Sequence, residues 1–491
     1  MNIARRVPYR EFSHVVRRFH RDQLLDKVAE ASAAIEAAPV TGRRLPERSP
    51  IRQFTLAAIA RTALAESMTY RTDQPVSDNQ LKRLCGMAIE VDQPDIPDHE
   101  IMNDAVMRRL MARMSYQQFL FGQSELEDIT RTLALFVDHD PSISDMPTPA
   151  AWEQALKMPL PGYLALVWAI FVRTGMQRGH FTDADLAEHA DLGALGGADA
   201  ETARTVIDTH LSSDTAMMTK RAADAEQADD AAGHQLWLSN PLVARPLIRR
   251  PVGYLAPIDP YVLDKVTPRG MYFTGIEHFG DGFPNLVGAS FEKLVGRHLQ
   301  LLEPIGAQVY PEIRYGRRGG ELTCDYIVVM SEFVLLVETK AMRSVESARL
   351  GHEAGLQVLA DRIQKARNQI ATTATLIRDR ISEVAHIPDD RPIRGLVVTL
   401  EPIHLVDTLF FADLLQPTTV DTATTSAHDF EQILATLIPL PDAASRILEA
   451  LTARPPVSPV FARAVDGLPR ARNQISAKLW DDWSVLLPRP R

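Results

Sequence analysis

Residues 322–340 read LTCDYIVVMSEFVLLVETK, and this stretch decides the fold of the C-terminal half. Two apolar runs joined by a short connection predict a tight hairpin of two strands. Asp325 interrupts the first run, and Glu338 and Lys340 close the second. Because side chains alternate faces along a strand, Glu338 and Lys340 should share one face. Asp325, on the neighbouring strand, should reach the same face.

Charged groups at these three positions need a physical reason, because an unpaired charge inside a sheet costs roughly several kcal/mol. Two carboxylates and an ammonium group suit a divalent cation and its reaction. A hard cation such as Mg²⁺ prefers carboxylate oxygens, here those of Asp325 and Glu338, and the carbonyl of Thr339 could complete the site. Lys340 would orient an attacking water or stabilise negative charge. These residues therefore predict hydrolysis of a phosphodiester bond.

The elements around the hairpin predict an α/β (α+β) domain. An amphipathic helix is expected from about Pro284 to Leu302, followed by a strand through Ala307–Ile313. After the hairpin, a long helix is expected over roughly 353–385 and a buried strand over Gly395–Leu400. This order predicts a mixed sheet flanked by helices.

At this point the sequence resembles the PD-(D/E)xK nuclease superfamily, which has the restriction-endonuclease-like fold. Asp325, twelve intervening residues and then Glu338-Thr-Lys340 match its D-x(n)-E-x-K signature, although Cys324 replaces the namesake proline. The segment from Gly288 to Glu292 resembles the first core helix of the superfamily. The resemblance covers about residues 284–400. It implies an endonuclease that requires Mg²⁺, with Mn²⁺ as a substitute, and DNA as its substrate.

Some assignments stay open at the sequence level. In many members of the superfamily a Glu of the first core helix joins the metal site, so Glu292 is a metal ligand or a surface residue. Glu312 could instead supply the extra carboxylate. Gln369 falls where some members place a glutamine near the substrate, but a solvated side chain is the alternative. Thr373 stands where one nuclease branch has a tyrosine, and His298 is expected to be a core histidine.

Basic clusters are candidate contacts for phosphate. The loop between the predicted core strands contains Arg314, Arg317 and Arg318, which we assign to substrate binding. The first 22 residues carry six arginines, and the tail from Arg454 carries seven basic residues. For each cluster, an ordinary solvated surface is the more common alternative.

The whole chain has 491 residues, a net charge of −10 and two cysteines, which excludes a disulfide framework and a cysteine-based zinc site. Residues 1–230 are expected to be mostly helical, for target recognition or partner binding. Residues 231–283 read as a strand- and turn-rich connector, and 284–491 as the nuclease-like domain with a C-terminal extension. No apolar run is long enough for a membrane span, and a cytoplasmic location is expected.

The sequence thus favours a metal-dependent endonuclease acting on DNA, with a setting in restriction or antiviral defence by association only. A homodimer or a partner subunit is expected if both strands of a duplex are cut. The rival hypothesis is a non-catalytic scaffold that binds nucleic acid or protein through a nuclease-like fold. A third alternative keeps the enzyme but gives it RNA or a branched substrate.

Overall fold

A computed structural model describes most of the chain. The described residues are 6–41, 49–67, 69–70, 75–91, 103–118, 125–191, 193, 195–227, 235–316, 320–342, 346–403, 405–452 and 464–487.

The N-terminal half is mostly helical, as predicted. Its helices are α1 (Tyr9–Val16), α2 (Arg21–Thr41), α3 (Gln53–Glu66), α4 (Asp78–Glu90), α5 (Asp104–Gln118), α6 (Glu125–Phe136), α7 (Pro149–Leu156), α8 (Leu160–Met176), α9 (Asp183–Asp191), α10 (Ala200–Val206), α11 (Thr215–Glu226) and α12 (Pro241–Ala244). A π-helical turn, Ile207–Leu211, follows α10. A small sheet has the order β1-β4-β3-β2, built from β1 (His180–Phe181), β2 (Ser212–Ser213), β3 (Leu247–Arg250) and β4 (Gly253–Leu255).

The segment predicted as a strand- and turn-rich connector is only partly so. It contributes β3 and β4, but it also contains helices α13 (Asp259–Asp264) and α14 (Pro268–Phe279). The prediction was wrong there because proline is common in loops, whereas Pro268 is the first residue of helix α14. Thr267 caps that helix by accepting a hydrogen bond from the backbone N–H of Gly270.

The C-terminal half is α/β. Its helices are α15 (Phe283–Gln300), α16 (Glu346–Arg349), α17 (Glu353–Arg378), α18 (Leu409–Ala412), α19 (Ala427–Leu437), α20 (Ala443–Thr452) and α21 (Gln474–Ser484). Its strands are β5 (Gln308–Pro311), β6 (Arg314–Tyr315), β7 (Glu321–Leu322), β8 (Tyr326–Val329), β9 (Val334–Lys340), β10 (Ile393–Thr399) and β11 (Thr422–Ser426). The main sheet has the order β11-β10-β9-β8-β5. Strands β5, β8 and β9 pair antiparallel, whereas β9, β10 and β11 pair parallel, so the predicted mixed sheet is confirmed.

Helices cover both faces of this sheet. Along β9, Leu335 and Val337 belong to the core cluster that includes α15, whereas Val334 and Leu336 belong to the cluster formed with α17. The alternation follows from the period of two along a strand. Helix α17 links β9 to its parallel neighbour β10, as a crossover connection requires.

The core under α15 is shared with the N-terminal half. It runs from Ile129 on α6 to Trp483 on α21 without a break between the two halves. A buried ion-pair network crosses the same junction. Arg131 on α6 contacts Glu431 on α19 through Nε and Nη2, at 3.0 and 2.8 Å, and Asp128 through Nη1 at 2.6 Å. The helical region and the α/β region therefore pack as one body at this junction.

Among the described residues, no single helix has the length and apolar character needed to cross a membrane; α7 and α8 together reach them only as a pair bent by 43°.

Candidate metal centre

The strands β8 and β9 separate where the predicted site begins. Their pairing ends at Tyr326 opposite Val337, so the next residue of each strand, Asp325 and Glu338, would face each other. Instead of a further backbone pair, Asp325 Oδ2 accepts hydrogen bonds from the backbone N–H and the hydroxyl of Thr339, both at 2.6 Å. The first predicted strand is consequently shorter than expected. The side chain of Thr339, which sequence reasoning did not consider, fixes the Asp325 carboxylate.

Glu338 lies where β8 and β9 separate and is only 5% exposed. Its Oε1 accepts a hydrogen bond from Lys340 Nζ at 2.6 Å, so the two side chains lie on one face as predicted. Its Oε2 is buried and has no hydrogen-bond partner within the described part of the chain. One carboxylate oxygen is thus neutralised by lysine, and the other lacks a compensating group.

The electrostatics of the site reflect this crowding. Burial and the charge of Asp325 raise the pKa of Glu338 to about 7, and Lys340 and the backbone of Asp325 oppose this rise. Both hydrogen bonds described for Asp325 fall on Oδ2, which leaves Oδ1 available to a cation. A divalent cation between these carboxylates would offset their mutual repulsion and the burial of Glu338.

Helix α15 brings a further carboxylate towards the pair. Burial raises the pKa of Glu292, and the charges of Asp325 and Glu312 add to the effect, against Lys293. The backbone carbonyl of Glu292 accepts a hydrogen bond from Tyr326 Oη at 3.1 Å, which ties the helix to β8. The negative charges at the end of β8 and on α15 therefore act on one another.

The fit to a metal ion is that of a two-carboxylate site. Within the described ranges, no three His, Cys, Asp or Glu side chains converge closely enough to hold one ion. Mg²⁺ suits such a site, because it keeps several waters and is commonly bound through one or two carboxylates and substrate phosphates. Whether Glu292, Glu312 or the carbonyl of Thr339 completes the site stays a prediction.

The comparison with protein families matches this part of the chain. The family model described as "Nuclease-related domain" matches residues 287–400. Residues 287–400 form a nuclease-related domain. It is a member of the PD-(D/E)xK-like nuclease superfamily, as the resemblance in the sequence predicted. No curated protein and no solved structure matches the chain.

The nuclease-related domain contains every residue of the predicted catalytic set, from Glu292 on α15 to Asp325, Glu338 and Lys340 in the hairpin. Cys324, which replaces the namesake proline, is a buried free thiol. His298 is also buried, and its Nδ1 lies 2.9 Å from the carbonyl oxygen of Leu294 within α15. It is a core histidine, as expected.

Helix α17 holds the backbone that precedes Asp325. Gln369 Nε2 donates to the carbonyl oxygens of Leu322 and Thr323, at 3.2 and 3.0 Å. The hydroxyl of Thr373 accepts from the backbone N–H of Cys324 at 2.8 Å. These bonds replace strand pairing in an irregular stretch, and sequence reasoning missed them because they join distant segments. A contact of Gln369 with substrate stays a prediction.

The basic loop is only partly described. Arg314 is exposed in β6, and Glu312 beside it is exposed as well. Arg317 and Arg318 lie outside the described residues. The assignment of these arginines to substrate binding therefore stays a prediction.

Proposed function

We propose that the nuclease-related domain is an endonuclease that hydrolyses phosphodiester bonds in DNA and requires Mg²⁺, with Mn²⁺ as a substitute. The observation that carries the proposal is Glu338 Oε2, a buried carboxylate oxygen beside the charge of Asp325 that has no hydrogen-bond partner among the described residues. A protein seldom keeps such a group unless a cation compensates it. The match to a nuclease-related domain supports the choice of reaction.

The residues of the site have separate roles in this proposal. Asp325 and Glu338 would hold the cation, and Thr339 would fix the orientation of Asp325 through its two hydrogen bonds. The bound ion would supply a water of lowered pKa and neutralise charge on the phosphate. Lys340 is held by Glu338 at the opening, where its ammonium group would stabilise negative charge that develops during cleavage.

Single-turnover cleavage with a metal titration tests these roles. Lys340→Met keeps much of the aliphatic stem and should lower the rate on the order of 100- to 1000-fold while DNA binding survives. Excess metal should not rescue it. Glu338→Ala should lose activity through weaker metal affinity, so excess metal should partly restore cleavage. Lys365→Met, at an exposed lysine on α17, is the matched control and should cleave like the wild type.

The same assay decides the substrate. Duplex DNA, single-stranded DNA, RNA and a branched junction are compared at equal concentration with Mg²⁺, Mn²⁺, Ca²⁺ or chelator. DNA should be cleaved with Mg²⁺ or Mn²⁺, and Ca²⁺ should support binding without turnover. Full activity in excess chelator would contradict the metal requirement, and preferred cleavage of RNA would contradict the choice of DNA.

One observation favours a second candidate, a scaffold that binds nucleic acid or protein without cleaving it. The described residues contain no group of three metal-ligating side chains of the kind that holds an ion without help from a substrate. Calorimetry with Mn²⁺ separates the candidates. Saturable binding that Asp325→Ala abolishes supports the enzyme, whereas the absence of both binding and cleavage supports the scaffold.

The biological setting that we propose is restriction or antiviral defence. It follows from the proposed cleavage of DNA by a chain in which the nuclease-related domain is packed against a large helical region. Cells that express the wild-type chain should lower the plating efficiency of DNA phages, and cells that express Glu338→Ala should not. Equal plating on both strains would exclude defence against the phages tested.

A further inference from the structure

A second group of polar residues lies outside the nuclease-related domain. It comprises Tyr163 on α8, His210 in the π-helical turn, Arg245 after α12, Lys265 after α13, and Glu277 and His278 on α14. We call this group the Tyr163 cluster.

Two members of the cluster are buried with atoms that have no partner. Tyr163 is 0% exposed, and its hydroxyl makes no hydrogen bond to a described residue. His210 is 6% exposed, and the same holds for its Nε2. The ring centroids of Tyr163 and His210 are 6.1 Å apart, so the two rings are neighbours. Leaving buried polar groups unpaired costs stability, and such groups commonly mark a place that is completed by a ligand.

Positive charge acts on both side chains, from Arg245 on Tyr163 and from Arg245 and Lys265 on His210. The ring of His278 lies 5.8 Å from that of His210, centroid to centroid. Burial, together with the charges of Arg245, His278 and Lys265, lowers the pKa of His210 to about 4. Burial and the charge of Arg245 likewise lower the pKa of Lys265 to about 8. These positive groups are close enough to repel one another.

Acidic residues do not balance this charge. Glu277 is exposed, although its charge reaches Arg245 and Lys265. Asp264, the other acid near Lys265, pairs with Arg269 at 2.7 Å. The cluster therefore combines an excess of positive charge with two buried groups that can each donate a hydrogen bond.

The members of the cluster differ in their exposure to solvent. His278 is exposed, Arg245 and Lys265 are half-buried, and Tyr163 and His210 are buried. The backbone fixes the half-buried members, because Arg245 donates to the carbonyl of Thr209 and Lys265 Nζ donates to that of Ala244 at 3.2 Å. The π-helical geometry of Ile207–Leu211, a rare form that often occurs at functional sites, carries His210.

We propose that the Tyr163 cluster binds the phosphate group of a small molecule. Phosphate carries up to two negative charges and accepts several hydrogen bonds, which matches the charges of Arg245 and Lys265 and the unpaired Tyr163 hydroxyl and His210 Nε2. Binding would pair both buried orphan groups and relieve the repulsion among the cations. This site is separate from the proposed nuclease reaction, because all its residues lie outside 287–400.

Calorimetry of the full chain with inorganic phosphate in the presence of chelator tests the proposal. Binding should saturate at one site per chain, and Glu338→Ala should bind equally. Tyr163→Phe and Lys265→Met should each weaken binding by about 10-fold or more, the value of a hydrogen bond to a charged group. Lys220→Met, at an exposed lysine on α11, should leave the affinity unchanged. Adenosine 5′-monophosphate and a 5′-phosphorylated DNA oligonucleotide are titrated in parallel.

A second measurement separates a binding role from a structural one. Without phosphate, Tyr163→Phe should melt at the same temperature as the wild type or higher, because it removes a buried hydroxyl without a partner. The rise in melting temperature that phosphate gives the wild type should be lost. Phosphate affinity that is unchanged in both Tyr163→Phe and Lys265→Met would overturn the proposal. Tighter binding of the oligonucleotide than of the nucleotide would overturn the assignment to a small molecule.

Discussion

Replacing Gly296 with alanine should push the ring of Tyr326 away from helix α15. A Cβ atom at position 296 would lie 2.2 Å from Tyr326 Oη and 2.5 Å from Cζ. The ring must move, and Tyr326 Oη then loses its hydrogen bond to the carbonyl of Glu292. Because Tyr326 directly follows Asp325, the displacement should reach the candidate metal centre.

The magnitude follows from opposing contributions. Alanine stabilises a helix by roughly 0.5–1 kcal/mol relative to glycine. Overpacking a core costs about 1–3 kcal/mol, and a lost hydrogen bond costs about 0.5–1.5 kcal/mol. The free energy of unfolding should therefore fall by about 2 kcal/mol in Gly296→Ala. Gly288 lies on the same helix with no atom within 4 Å of an added Cβ, so Gly288→Ala should show only the increase in helix stability.

Urea unfolding of the two variants, followed by circular dichroism, measures the difference. Single-turnover cleavage, measured without denaturant at a temperature where both variants are folded, shows the effect on the site. Gly296→Ala should lose stability and activity, and Gly288→Ala should lose neither. If the two variants were equally stable, the close packing of Tyr326 against α15 would not be a constraint on this fold.

Three further perturbations test other parts of the structure. Arg131→Met should lower the free energy of unfolding by about 3–5 kcal/mol in urea titrations, because it leaves two buried carboxylates unpaired; a change near zero would contradict that network. Since His210 has a folded pKa of about 4 against 6.5 when unfolded, the wild type should lose stability as pH falls from about 6.5 towards 4. At pH 5 the loss relative to neutral pH, measured by urea titration, should be about 2 kcal/mol larger than in His210→Gln. Thr373→Val should slow single-turnover cleavage by leaving a backbone amide near the site unpaired, and Thr375→Val on the exposed face of the same helix should not; equal rates would remove Thr373 from the positioning of the site.

The order of elements around the hairpin could be predicted from sequence, because each has a strong hydrophobic period. The α15 helix and the strand β9 lie within a few residues of the expected bounds, and the crossover helix α17 begins at Glu353 as expected but ends at Arg378, seven residues early. The common face of Glu338 and Lys340 could also be predicted, since it depends only on alternation along one strand.

The remaining features depend on contacts between distant residues. Strand β8 starts only at Tyr326, because the hydrogen bonds between Asp325 and Thr339 compete with backbone pairing at the preceding residue. The helix α14 was missed because, in the sequence alone, a proline that begins a helix cannot be distinguished from a proline in a loop. The supports from Thr373 and Gln369 join segments about fifty residues apart, and no local pattern records such a contact.

The continuous core beneath α15 has a consequence for modularity. Residues from Ile129 on α6 to Trp483 on α21 pack into the same cluster as the sheet of the nuclease-related domain. A fragment cut at the edges of 287–400 would lose strand β11 and helices α6, α19 and α21, and it would expose one side of that sheet. The nuclease-related domain is therefore not expected to fold when it is transferred alone. To move this domain into another protein, the helices that pack against it would have to be moved as well, or replaced by helices of matching shape and charge.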